Sequence, residues 1–326
     1  MTETATRPLP MLLAEVEATA VERLSPSYVR VELGGPALAD FGVDGPLYDQ
    51  RIKLLLPNDA GRLPAFRPEV EEEGWYAAWQ ALPEAERGHL RTYSVRAVRG
   101  TGTGTRLVVD FVLHLQPGAT GPGSTWASRA QVGDRLVVVA PRRGVPFGGI
   151  EFAPGDARVL LAAADETAVP AVCRILEDLP ADACGSAFLE VPLGADIQEV
   201  RGPAGVEVVW LARGGRPLGE PLTAAVRAHL GSGPAAGPGA PQVVVEEVDP
   251  DLWETPTYSS SGADLTGSAR PGGPGAGSPL DGLYAWIAGE AGVVTALRRH
   301  LVKDLGMDRR QVAFMGYWRR GVAMRY

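Results

Sequence analysis

The residues best suited to chemistry in this chain are arginines and glycine-hydroxyl turns, and the chemistry they suit is anion binding. Arg91-Thr92-Tyr93-Ser94 falls in a predicted strand, where alternation puts Arg91 and Tyr93 on one face and Thr92 and Ser94 on the other. A planar guanidinium there can donate two parallel charge-assisted bonds to a phosphate. Exposed Arg and Tyr also occur on strands that bind nothing. Further on, His114-Leu115-Gln116-Pro117-Gly118 ends the next strand, and Gly121-Pro122-Gly123-Ser124-Thr125-Trp126-Ala127 opens a short helix. Its glycines would let backbone N–H groups approach a phosphate, and Ser124 or Thr125 would cap the helix whose positive end faces that anion. A capped turn without a ligand is the alternative.

Three more clusters follow. Asp165-Glu166-Thr167-Ala168, with Pro170, lies between a strand and a helix. Thr167 is the better phosphate contact, because a carboxylate repels one; Asp165 and Glu166 suit capping the helix. Trp286-Ile287-Ala288-Gly289-Glu290-Ala291 makes a second strand-to-helix turn, whose small residues permit close approach to the backbone. Arg213-Gly214-Gly215-Arg216 follows a strand at 206–212. Arg51 and Lys53 share one face of a strand, which makes them either a docking patch for an anion or a solvated edge.

The elements that must position these residues change character along the chain. From 12 to 139 the sequence reads as short strands at 14–20, 28–33, 51–56, 91–98, 106–113 and 135–140, separated by Gly, Pro and Asp turns. That spacing predicts an antiparallel barrel. Residues 66–90 interrupt it with a helix-like pattern of Trp75, Tyr76, Trp79 and Leu82, a lid or a plug. After Pro154 a strand at 158–163, a helix at 168–179 and strands at 187–192 and 206–212 predict parallel βαβ units. A helix at 221–230 precedes 231–281, a Gly, Pro, Ala and Ser-rich stretch read as a flexible insertion with one possible strand at 242–247. A strand at 283–288, a helix at 291–305 and a strand at 311–318 complete the second domain.

Composition narrows the function. A length of 326 residues predicts two domains of about 150 residues each. A formal net charge of -8 argues against general nucleic-acid affinity, so any anionic ligand needs local cations. No signal-peptide core and no apolar run of membrane-spanning length is visible, which predicts a cytoplasmic protein, read as a monomer. Cys173 and Cys184 are too few for a four-thiolate iron–sulfur cluster, and four scattered histidines do not suggest a zinc site. Electron transfer would need an organic cofactor.

In order, Arg-x-Tyr-Ser, His114, Gly-Pro-x-Ser-x-Trp-Ala and Gly133-Asp134 resemble the siderophore-interacting protein family. The likeness continues through Asp-Glu-Thr-Ala-x-Pro at 165–170, Trp-x-Ala-Gly-Glu at 286–290 and Gly316-Tyr317-Trp318-Arg319-Arg320-Gly321, and so covers nearly the whole chain. It implies a ferredoxin-reductase-like fold: a six-stranded antiparallel β-barrel FAD domain over 12–152, and an α/β parallel-sheet nicotinamide-binding domain over 153–326. Arg91 would pair with the FAD pyrophosphate, Tyr93 pack by the flavin, and Thr92, Ser94, His114 and residues 121–126 complete that site. Residues 165–168, Gly289 and Glu290 would meet NADPH or NADH. The activity implied is NAD(P)H-dependent reduction of Fe(III) in a ferric siderophore, docked by Arg51 and Lys53. The rivals are a reductase of flavin, quinone or an electron carrier, and a non-catalytic siderophore-binding protein. Arg213 and Arg216 favour NADPH, by reaching its 2′-phosphate; Glu190 favours NADH, by accepting from the ribose hydroxyl. The chain departs from the family pattern at Arg51, where His is frequent, at Gly123, where Ala is usual, and in the length of 231–281.

Overall fold

A computed structural model describes residues 11–65, 74–115, 120–231, 253–254, 280 and 282–321. The chain divides into two compact units between Ile150 and Glu151.

The first unit contains β1 (Met11–Arg23), β2 (Tyr28–Gly34), β3 (Arg51–Leu56), α1 (Gly74–Ala81), β4 (His89–Ser94), β5 (Ala97–Arg99), β6 (Arg106–Val112), α2 (Pro122–Ala127) and β7 (Arg135–Pro141). Its strands form one seven-stranded sheet in the order β4-β3-β7-β1-β2-β6-β5, every pair antiparallel. The expected six strands become seven because the strand predicted at 91–98 breaks. Val95 N–H donates to Gln50 O, on the β3 side, and Arg96 N–H donates to Val108 O in β6. Two residues thus carry the chain from one edge of the half-barrel sheet to the other. Alternate residues fill the interior: Val16, Val31, Leu54, Val109, Phe111 and Val138 are all buried there. Outward-facing charges pair in register, as where Arg30 and Asp110 stand opposite on β2 and β6 and make two bonds of 2.7 Å. From the predicted excursion, α1 is neither plug nor free lid. Its Trp79 is buried against Leu55, Leu90 and Val139, whose side chains alternate with core residues and so lie on the outer face. Part of that excursion, 66–73, lies outside the described residues.

The second unit contains β8 (Val159–Ala164), α3 (Val169–Asp178), β9 (Cys184–Val191), β10 (Gly205–Ala212), α4 (Glu220–His229), β11 (Trp253–Glu254), β12 (Leu283–Glu290), α5 (Ala291–Arg299) and β13 (Val312–Trp318). The strand order is β10-β9-β8-β12-β13-β11, parallel throughout except for β11, which runs antiparallel to β13. The near-continuous apolar runs of β8 and β12 reflect burial on both faces. Strand order reverses between β8 and β12, and ligands of such sheets bind outside the carboxyl ends at that reversal. The clusters at 165–168 and 289–290 follow those two strands. The helix expected over 291–305 widens after Arg299, where Leu305 N–H reaches five residues back to His300 O at 3.0 Å. The strand expected at 242–247 lies outside the described residues.

Candidate functional site

On β4 the expected alternation holds. Tyr93 and Arg91 stand opposite Ile52 and Leu54, and Thr92 and Ser94 stand opposite Lys53 and Arg51. Tyr93 lies 4.4 Å, centroid to centroid, from Phe111 of β6, which lies 5.3 Å from Trp126 of α2. The phenol then meets α2 itself: a Cβ built on Gly123 would fall 2.0 Å from the Tyr93 hydroxyl oxygen. The two ordered motifs therefore converge. Ser124 Oγ ties the same turn to the barrel, donating to Val112 O (2.9 Å) and accepting from His114 N–H (3.1 Å).

Two expectations for this turn need correction. Neither Ser124 nor Thr125 caps the helix; Gly121 is the N-cap and no side chain caps it. Pro122 starts the helix, which places both hydroxyls inside the first turn, and Thr125 Oγ1 donates back to Gly121 O (3.0 Å). Gly123 does not free backbone for an anion, since its missing Cβ makes room for Tyr93. Gly121 faces open space.

Arg91 is half-buried and donates from Nη1 to Leu90 O (2.6 Å). On the opposite face Lys53 Nζ donates to Thr92 Oγ1 (3.3 Å). Burial, then the neighbouring Arg51 charge, lowers the Lys53 pKa.

At the carboxyl edge of the parallel sheet, polar side chains join one strand to the next. Asp165 Oδ1 accepts from Thr167 N–H (2.9 Å) and Thr167 Oγ1 (2.6 Å), while Oδ2 accepts from Glu290 N–H (2.7 Å) and Trp318 Nε1 (2.8 Å). That approach requires Gly289, where φ is +147° and a Cβ would lie 2.6 Å from the carboxylate. Burial and the Glu166 charge push the Asp165 pKa up to about 6, against the hydrogen bonds from Thr167 and Trp318. Glu290 caps α5, accepting from Gly292 and Val293 N–H, and also accepts from Arg320 N–H (3.2 Å).

Here too the sequence-based roles change. Asp165 and Glu166 do not cap α3, whose N-cap is Ala168 without a side-chain bond. Thr167 spends its hydroxyl proton on Asp165. Gly289 meets a carboxylate rather than leaving open backbone, and Glu290 is engaged by amides. Arg213 is not held out toward a ligand: it pairs with Glu166 through bonds of 2.9 and 3.0 Å and with Glu190 at 2.8 Å. These hydrogen bonds and charges raise its pKa against the effect of burial. Glu190 is fully buried and accepts from Gly219 N–H (2.9 Å) and Leu222 N–H (3.1 Å) at the start of α4, so it cannot meet a ribose hydroxyl. The arginine and the carboxylate expected to compete over the nucleotide are bound to each other. Of the pair at 213 and 216, Arg216 is the exposed one. Sequence reasoning missed Trp318 as a partner of Asp165. The signal was a tryptophan at the carboxyl end of a strand two places from the reversal.

An antiparallel half-barrel sheet followed by a parallel sheet, with the polar edge at its strand reversal, makes a ferredoxin-reductase-like fold whose first unit matches an FAD-binding domain. Residues 17–145 match the siderophore-interacting FAD-binding domain and residues 157–321 match the siderophore-interacting protein model. The chain belongs to the siderophore-interacting protein family. It is 35% identical over 193 residues to the ferric vibriobactin reductase ViuB of Vibrio cholerae, covering 58% of this chain and 63% of that protein. It is 36% identical over 168 residues to the NADPH-dependent ferric-chelate reductase of Escherichia coli, covering 51% and 56%. The crystal structure of a siderophore utilization protein from T. fusca aligns with a TM-score of 0.61 at 30% identity, over 97% of this chain and 95% of that one. Among the described residues no helix is long and apolar enough to cross a membrane.

Proposed function

We propose that the chain is an NAD(P)H-dependent flavoprotein reductase that reduces Fe(III) in a ferric siderophore and so loosens the iron. The observation that carries this reading is the match of both units, in order, to siderophore-interacting models. Two relatives whose names describe ferric reductases support it. The barrel's residues fit FAD: Arg91 offers a guanidinium to a pyrophosphate on the same strand face as the Tyr93 ring, and α2 begins beside that ring. When bound, FAD supplies the conversion of a two-electron hydride donor into a one-electron reductant.

The protein's own residues then have positioning tasks. Arg91, Tyr93 and the 121–126 turn hold the dinucleotide, with Thr92 and Ser94 on the opposite face of the same strand and His114 just past β6 as further contacts. The edge built by Asp165, Glu166, Thr167, Ala168, Gly289 and Glu290 shapes the floor for NADPH or NADH. Arg51 and Lys53 attract an anionic ferric complex, which an acidic chain needs. Hard oxygen ligands favour Fe(III) over Fe(II), so the reaction needs no acid or base from the protein to labilise the metal.

The test is the absorption spectrum of the purified or FAD-reconstituted protein, followed by anaerobic NADH and NADPH titration with and without a ferric siderophore. A yellow protein bleached by the nucleotide and recoloured by the ferric complex is expected. A protein that takes up no FAD, or a reduced one that ferric siderophore leaves bleached while quinone or free flavin recolours it, overturns the proposal.

A further inference from the structure

We propose that α1 selects among the complexes drawn to Arg51 and Lys53, favouring ferric siderophores whose iron ligands are aromatic diolates, the catecholate class; the inference rests on the docking role given to those two cations above. β3 sends Arg51, Lys53 and Leu55 to its outer face, away from the buried Ile52 and Leu54. The register fixes what surrounds them. Leu13 stands opposite Val139, Val139 opposite Lys53, and Lys53 opposite Thr92. One rung along the same face, Leu55 stands between Val137 and Leu90. α1 lies over both rungs: Trp79 is buried with Leu55, Leu90 and Val139, and Trp75 packs against the same cluster, as do Leu13 and Val137. Lys53 therefore shares a rung with residues that the helix covers.

What that cover shows to solvent is aromatic. Tyr76 is 37% exposed and Trp75 is half-buried. Their rings meet edge to face with centroids 5.6 Å apart, and Tyr76 lies 5.7 Å from Trp79. Gln80 Nε2 donates to the Tyr76 hydroxyl at 3.0 Å, which ties the ring to its own helix. A stack of rings thus borders a pair of cations, and the two attract different things. Arg51 and Lys53 attract net negative charge; the rings attract the edges and faces of other arenes. A ferric tris-catecholate is a trianion whose oxygens turn inward to the metal, leaving arene edges outside. A ferric tris-carboxylate of the same charge turns its outer carbonyl oxygens to the solvent, and these must shed water against the rings. The cations draw in both complexes, and only the aromatic one gains from α1.

The experiment is calorimetric titration of the FAD-loaded protein with chromium(III) tris-catecholate and chromium(III) tris-oxalate. The two are equally charged, octahedral and slow to exchange ligands, and reduced flavin is absent, so affinity is read apart from turnover. Wild type should bind the tris-catecholate about three- to tenfold more tightly, the scale of an aromatic contact. Tyr76→Ala should lose most of that preference by weakening the tris-catecholate alone, and Tyr76→Phe should keep it. Lys53→Ala should weaken both complexes by similar factors, because charge does not distinguish them. Equal affinities in wild type, or a preference that survives in Tyr76→Ala, overturn the proposal and leave the docking role of the cations standing. If Tyr76→Ala unfolds α1, Trp75→Leu decides, since it removes a ring and keeps an apolar side chain on the cluster: a lost preference supports the proposal and a kept one overturns it. Affinity for neither complex, or none lost in Lys53→Ala, would sink the docking role and this inference with it.

Discussion

In the barrel Tyr93 is located by two neighbouring rings and by a Cβ that Gly123 lacks. In the parallel sheet Glu166, Glu190 and Arg213 are located by one another, and Asp165 by Thr167, Trp318 and the Glu290 amide, through hydrogen bonds between the ends of strands. Shape places the first set, leaving Arg91, Tyr93 and Lys53 half-buried. Charge places the second, and buries its members in doing so. A motif residue in the barrel can therefore face a ligand as it stands. In the sheet, most of the polar motif residues are spent on holding the edge together, and their service to a nucleotide is structural.

The largest way to break this contrast is Arg213→Ala. It leaves Glu166 and Glu190, 1% and 0% exposed, facing each other without a cation. Removing one partner of a buried ion pair costs about 3–5 kcal/mol, so urea denaturation should show a loss of that size. A loss below about 1 kcal/mol, the range of exposed pairs, would mean that Arg213 is not the brace described.

Next in size is a pH effect at Asp165. Its pKa in the folded protein, about 6, lies above the ordinary carboxylate value of about 3.9. The stability it contributes is therefore fully present below the ordinary value and lost as pH rises through about 6, of the order of 2–3 kcal/mol. Asp165→Asn cannot titrate. The stability gap between wild type and that variant should narrow as pH is raised from about 4 to about 7. A gap independent of pH would show an unshifted carboxylate.

What the sequence made legible follows the same division. Strand and helix types were readable because their periodicities are local, and the carboxyl-edge location of Asp165 and Glu290 followed from the βαβ pattern. The break at Val95 and Arg96 was not readable, since both continue the strand's texture and only their partners, Gln50 and Val108, mark the corner. Likewise Arg213 and Glu190 were visible as ionisable residues at strand ends. That they pair with each other depends on β9 and β10 being neighbours in register, which is a property of the fold. The hydroxyls of Ser124 and Thr125 were assigned to a cap because the helix start was placed too late by three or four residues.

The outer face of β3 and β4 offers a smaller test. Arg51 and Lys53 alternate on it, with Thr92 and Ser94 opposite. Replacing both cations by Ala should raise the KM for an anionic ferric siderophore about tenfold at low salt and flatten its salt dependence, because partly exposed charges attract through a screened field. Unchanged KM and salt slope would remove this face from docking.

The smallest expected effect concerns the nucleotide. Arg213 would have to exchange two carboxylates for a 2′-phosphate, leaving both buried without a cation, a cost that one surface contact cannot offset. Arg216 carries no such cost. It is exposed, and its Nη2 donates to Ala212 O (2.7 Å) at the carboxyl end of β10, which holds the guanidinium at the sheet edge where a nucleotide belongs. If NADPH is preferred, Arg216→Ala should lower the ratio of kcat/KM for NADPH over NADH by about three- to fivefold, the scale of a solvent-exposed ion pair near 1 kcal/mol, and added salt should shrink the difference. Arg213→Ala, assayed where it remains folded, should leave that ratio unchanged. A ratio that falls in Arg213→Ala and holds in Arg216→Ala would mean that the brace opens to read the phosphate, and that a charge-held residue of the sheet edge faces its ligand as a shape-held residue of the barrel does.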